Sequence, residues 1–276
     1  SNTTGVSNVA IGRKALQDAT TANQNTAVGT SAMENVTTGS ENTSVGFQSL
    51  DANTTGGSNV AVGHSAMSSN TTASENTAVG KSALASTTTG SNNTAIGKGA
   101  MGANSTGSEN VAVGQDALDA NTTGASNTAL GRASLSSNTT ATGNTAVGES
   151  ALRFSTTSPH NVAVGASALD AVLTGNGLNV AVGKEAMTDA TTSETCVAVG
   201  GLALENVTSG GNNIAVGFDA LGDLTTISGM TAIGHEASAR NTTGDANTSV
   251  GFRAFKFSTT GTNGTAVGHN AGLDQT

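Results

Sequence analysis

Between Asn92 and Leu118 the chain reads NNTAIGKGAMGANSTGSENVAVGQDAL, which is nearly the same phrase twice. Asn93-Thr94-Ala95-Ile96-Gly97 is answered by Asn110-Val111-Ala112-Val113-Gly114, and Ala100-Met101 by Ala117-Leu118. Working outward, the glycine recurs every 17 residues from Gly12 to Gly165 and, after one step of 18, every 17 from Gly183 to Gly268. Sixteen copies result, and none lacks the glycine. Repetition at a fixed short period is the mark of an architecture built by stacking.

Numbered from the asparagine, the unit opens with Asn, Thr or Val, Ala or Ser, an aliphatic residue and Gly. Two variable residues, Ala or Ser, and Leu or Met follow; three further variable positions lead to Thr-Thr, Gly or Ala, and two last variable residues. Asn starts 13 of the 16 copies, the exceptions being Cys196, Met230 and Gly264. The eighth position is Ala except at Ser49 and Ser134, and the ninth departs from Leu or Met only at Ser238, Phe255 and Gly272. Fixed positions are small or apolar; positions six, seven, ten and eleven vary as surface does.

Thr-Thr-Gly and Asn-Thr-Ala-Val-Gly are poor helix formers, being rich in β-branched residues and glycine. Their alternation reads as two short strands per copy, separated by Gly and Asn turns. The fold expected is all-β: a parallel β-solenoid of about 16 coils, one coil per repeat, stacked at roughly 4.8 Å into a rod roughly 75 Å long. The invariant glycine serves a corner with positive φ or a close backbone approach. Asparagines in register form an amide ladder, and the Val/Ile and Leu/Met columns fill the slot between strands. Residues 1–276 form one repetitive domain, with a one-residue insertion bulging near 175–178. A cap or transition is expected over 252–276, where Phe252, Phe255 and Phe257 crowd one coil.

Composition narrows function. Aromatic residues make up 2% of the chain and there are 37 glycines, so any core is thin. Charged residues are 11% and the net charge is −9, which disfavours nucleic acid and anionic membrane as partners. The lone Cys196 excludes a disulfide scaffold, and no apolar run reaches membrane-spanning length. The sequence opens at Ser1 rather than Met, which reads as a processed protein or a piece of a longer one. One coil buries about one Val and one Leu, worth roughly 1.5–3 kcal/mol each, against about 1–2 kcal/mol per ordered residue. Side-by-side association of several chains is therefore expected.

The phrase from Asn25 to Met33, repeated at Asn76 to Leu84 and Asn144 to Leu152, resembles the head repeat of trimeric autotransporter adhesins. Similar β-roll repeats occur in phage tail-fibre-like proteins. The resemblance implies a left-handed parallel β-roll, a homotrimer, and an adhesive head outside a bacterial cell, anchored in the outer membrane through regions not in this chain. The ligand implied is a host or matrix protein or a glycan. The unit here is longer than the usual head repeat, the Thr-Thr-Gly segment supplying the extra residues.

Repetition yields columns of like residues, whereas catalysis needs unlike residues at one place. His64, His235 and His269 fall in the variable sixth column and His160 beside Pro159, and all four read as surface residues. Carboxylates such as Glu34, Asp51, Asp119, Asp170 and Glu205 are scattered, without the nonapeptide pattern of calcium solenoids. Cys196 reads as a buried small residue in the asparagine column. The chain is thus expected to be no enzyme and to use no metal or cofactor. Sequons such as Asn53-Thr54-Thr55 and Asn121-Thr122-Thr123 fall out of the consensus. The sixth column carries Arg13, Lys81, Lys98, Arg132 and Lys184, half of the basic residues, interspersed with Phe47, Phe218 and Phe252. That column is the candidate ligand-facing rim.

Two functions fit. In the first, the chain is a non-enzymatic fibrous adhesin head or shaft attaching to a host cell, a neighbouring cell or matrix; a phage tail-fibre shaft is a variant of it. In the second, it is an ice-binding solenoid. Thr38, Thr55, Thr72, Thr89, Thr106, Thr123 and Thr140 would form the water-ordering ladder, because one threonine of each pair must face outward from a strand.

Overall fold

The computed structural model describes residues 3–171 and 174–274. The described residues hold sixteen three-residue strands, one per repeat, with no helix, so the chain is an all-β parallel β-solenoid with a 17-residue coil. It divides into two compact units, Ser1–Thr140 and Ala141–Thr276. The first holds eight strands, β1 (Val9–Ile11) to β8 (Thr128–Leu130). The second holds eight more, β9 (Thr145–Val147) to β16 (Thr265–Val267). Within each unit every strand pairs parallel with the next copy of itself, as Thr77↔Thr94 and Val79↔Ile96 show.

Only the Thr-Ala-Val run of each copy is a strand. The Thr-Thr run, expected as a second strand, is a bend: the first threonine's Oγ1 donates to the carbonyl of its counterpart one coil on, as from Thr37 to Thr54 (3.1 Å) and from Thr54 to Thr71 (3.0 Å). The chain turns instead through left-handed residues at the seventh, ninth and seventeenth positions, for example Ser82 (φ 57°), Leu84 (φ 50°) and Asn92 (φ 59°). A left-handed conformation costs a non-glycine residue roughly 1–2 kcal/mol. Full burial of a leucine returns roughly 1.5–3 kcal/mol, and Leu84, Met101 and Leu118 are wholly buried. Hence the ninth column keeps its large apolar residue despite its backbone. The amides at these corners pair with neighbouring coils: Ser82 N–H donates to the His64 carbonyl (2.9 Å) and Leu84 N–H to that of Ala100 (3.0 Å).

The fifth-position glycine meets both demands placed on it. Gly97 has φ +136°, and a Cβ there would lie 2.4 Å from the Gly114 carbonyl oxygen. The asparagine ladder also forms: Asn93 Oδ1 accepts from Asn110 N–H (3.0 Å) and Nδ2 (3.2 Å), while Asn93 Nδ2 donates to the Gly107 carbonyl (2.9 Å), closing its own coil. Where the column changes, chemistry is preserved. Cys196 N–H donates to Asn179 Oδ1 (3.0 Å) and its Sγ to the Gly210 carbonyl (3.3 Å). Ser44 and Ser49 pair with each other inside one coil. A second asparagine ladder runs at the twelfth position, Asn121 Nδ2 donating to Asn104 Oδ1 (2.8 Å) and Asn138 Nδ2 to Asn121 Oδ1 (2.9 Å). The sequon asparagines Asn53 and Asn121 lie in it, fully buried.

The fourth-position aliphatics do not fill the core. Alternation along a strand puts Ala95 inside, so Thr94 and Ile96 point out; Ile96 is 41% exposed and Val113 half-buried, while Ala95 is wholly buried. The slot between strand and turns is filled by alanine, by the Leu/Met column and by asparagine. The outward face is a two-column ladder of threonine and aliphatic side chains, β-branched except at Leu130, without a charge.

Across the insertion strand register continues unbroken, as Val162↔Val180. Gly177 takes the tight corner at φ +75°, and Asn176 is held by the Glu194 carboxylate (2.8 and 3.0 Å). Of the three C-terminal phenylalanines, Phe255 alone enters the core, against Ala254, Ala266 and Ala271. Its ring occupies space that Cβ atoms on Gly264 and Gly272 would take, at 3.0 and 2.4 Å, which accounts for both exceptions to the consensus. Phe252 and Phe257 are on the surface. Residues 275–276, the end of the expected cap, lie outside the described residues, as do 1–2 and 172–173.

Gly97→Ala should destabilise the protein by about 2 kcal/mol or more, since it combines a backbone clash with an unfavourable φ. Ala95→Gly, which adds no atoms, should cost about 1 kcal/mol. Urea unfolding of the two variants beside the parent measures both.

Candidate functional site

Strand alternation carries past the glycine, so sixth-position side chains stand outside the core. Arg13, Phe47, Lys81, Lys98, Arg132, Lys184 and Phe218 are all exposed, as is Phe252. The rim of the first unit is cationic along Lys81 and Lys98, which follow the ring pair Phe47–His64 (centroids 5.2 Å apart). In the second unit the rim is aromatic from Phe218 onward. Phe218, His235, Phe252 and His269 stack in successive coils at 5.4, 5.3 and 5.1 Å, with interplanar angles of 27°, 19° and 8°. The histidines of the sixth column are thus surface residues as expected, but two of them belong to one continuous ladder of rings. The signal was present in the sequence as Phe and His alternating at 17-residue steps.

An ion cluster braces that ladder. Glu236, beside His235, receives Lys256 Nζ at 2.8 Å and the Arg253 guanidinium, which itself lies 4.8 Å from the Phe252 ring centre. The Lys256 and Arg253 donors hold the Glu236 carboxyl down at about 2, against the desolvation that opposes them. The other acids named from the sequence are dispersed. Burial raises the carboxyls of Asp51, Asp119 and Asp170 above the usual range, and burial with neighbouring acids raises Glu205; Lys14 holds Glu34 low. Among the described residues no three His, Cys, Asp or Glu side chains are grouped to hold a metal ion, and no pocket is present. Burial raises the Cys196 thiol, and its Sγ is spent on a backbone carbonyl.

The threonine ladder is exposed at every one of its expected members, Thr38, Thr55, Thr72, Thr89, Thr106, Thr123 and Thr140. These residues sit on a bend, and from Thr38 to Thr123 their amides are fixed to the next coil, as Thr89 N–H is to the Ser105 carbonyl (3.4 Å). Exposed positions elsewhere vary freely, whereas this one is threonine in every coil but that of Ser209.

Comparison of the sequence with known protein families and with curated proteins finds no match.

Glu236 gives the second unit a specific acid dependence. Its folded value lies below the ordinary 4.5, so its contribution is present above that pH and is lost as the pH falls towards about 2. Glu236→Gln should flatten the loss of thermal stability across that interval, as followed by melting curves at stepped pH.

Proposed function

We propose that the chain is the shaft or head of an extracellular adhesive fibre, non-enzymatic, displayed on a bacterial surface or a phage particle. Its repeated interior serves as scaffold and its variable rim as the recognition surface. One observation carries this reading: of the positions free to vary between coils, the sixth forms a column exposed in nearly every coil, while the fixed Gly, Ala, Leu/Met and Asn columns make the coil-to-coil contacts. The likeness of the repeat phrase to adhesin heads supports it. In this reading three copies wind as left-handed rolls and pack through the uncharged outward strand face, where Val79, Ile96 and Val111 are each more than a third exposed. The rim then binds a protein or glycan of a host, neighbour or matrix.

Sedimentation equilibrium should give three times the chain mass, falling to the single-chain mass in a Val79→Lys, Ile96→Lys, Val113→Lys variant. A stable monomer of the parent chain would contradict the packing. On arrays of matrix proteins and glycans, the labelled protein should bind defined spots, and Lys81→Ser with Lys98→Ser should weaken cationic-rim binding. Loss should be greatest at low ionic strength, where exposed charges are least screened.

The fixed, exposed threonine column favours a second reading, ice binding: β-branched hydroxyls held rigid at one strand spacing present a regular lattice to water. Thermal hysteresis in dilute solution, abolished by Thr72→Lys, Thr89→Lys and Thr106→Lys, is the result this reading requires; freezing without crystal shaping eliminates it.

A further inference from the structure

From Lys184 to the end of the second unit the sixth column runs Lys184, Gly201, Phe218, His235, Phe252, His269, one residue per coil. From Phe218 onward each ring is covered by the next. The opposite face of Phe218 looks towards Gly201, which has no side chain. A Cβ added at Gly201 would sit 3.5 Å from Phe218 Cδ2 and 3.8 Å from Cε2, an ordinary contact distance. The backbone of Gly201 lies outside the positive-φ region, unlike that of the fifth-position Gly200 (φ +135°). Nothing in the fold therefore demands glycine there. Phe218 and the exposed Lys184 stand two coils apart, about 9.6 Å on the strand spacing, and the coil between them carries only Gly201, so a phenyl face bounds the gap on one side and the lysine on the other. Among the described residues Lys184 pairs with Glu185 (3.2 Å), with side chains 72% and 37% exposed, a pairing that water and salt leave easily exchanged.

We propose that this gap is a binding subsite for one ring of an acidic glycan. The phenyl face is the negative side of its quadrupole and accepts the C–H face of a pyranose. The outer hydroxyls stay in water, and a ring carboxylate pairs with the Lys184 ammonium. Valines 182, 199 and 216 in the neighbouring fourth column are uncharged and half-buried, so the carboxylates closest in the seventh column are Glu185 and Asp219. They disfavour a ligand of high charge density and leave room for a single carboxylate beside the lysine. This assignment rests on the rim being the recognition surface and specifies the ligand at one place on it.

Titration calorimetry of the intact chain with an oligogalacturonate and with a neutral oligosaccharide of equal length tests the proposal. The acidic sugar should bind the parent chain. Phe218→Ala, and Gly201→Thr, which fills the gap, should each weaken it about tenfold, the scale of one stacked ring. Lys184→Gln should remove the preference for the acidic over the neutral sugar. Melting temperatures close to the parent's confirm that the variants are folded; Gly201→Ser serves in place of Gly201→Thr if that one is not. No binding to the parent, unchanged binding by the filled variant, or equal competition by benzoate overturns the proposal. If array attachment persists without uronate binding, this subsite falls and the adhesive reading stands; if array attachment fails as well, both fall.

Discussion

The contact on which everything else depends is the approach of one backbone to the next at the fifth-position glycine. With Gly97 against the carbonyl of Gly114, there is no room for a single further carbon. That approach sets the coil spacing, and the spacing in turn allows the asparagine amides to bridge coils while closing their own, as Asn93 does with Asn110 and Gly107. A chain with so few bulky residues has little hydrophobic burial to draw on. It compensates by satisfying backbone and amide groups in registered ladders, each bond a net gain of about 0.5–1.5 kcal/mol repeated in every coil.

Register explains the exceptions as well as the rule. A serine at the third position is answered by a serine within hydrogen-bonding reach, Ser44 by Ser49 and Ser249 by Ser238 (2.9 Å). A phenylalanine in the leucine column, Phe255, is answered by glycines where its ring extends. The extra residue before Leu178 leaves the strands on either side in register, Val162 with Val180. What the ladders leave free is the rim, and there neighbours one coil apart interact by stacking, as the Phe and His rings of the second unit do.

The period, the parallel stacking, the glycine corner, the first asparagine ladder and the buried Leu/Met column could all be read from the 17-residue repeat, because each is a fixed column. The side on which the valines lie could not. A three-residue strand can alternate in either phase, and it is burial in the fold that puts Ala95 inside with Met101 and leaves Ile96 outside. The second strand failed because the turns are made by non-glycine residues in the left-handed region, such as Leu84, which propensity alone does not foresee. The twelfth-position asparagines were hidden by their alternation with Ala, Val and Thr. For the rim, exposure was legible from variability, but the gap beside Phe218 emerged only once Gly200 and Gly201 could be told apart by their backbones.

Each coil is held by registered hydrogen bonds around its circuit, turns included, and not by its short strand alone. Amide hydrogen exchange tests this most directly. Amides at the left-handed corners, such as those of Leu84 and Ser82, should exchange as slowly as the strand amide of Thr77, since each donates to a neighbouring coil. Rapid exchange at those corners, with protection confined to the Thr-Ala-Val strands, would contradict it.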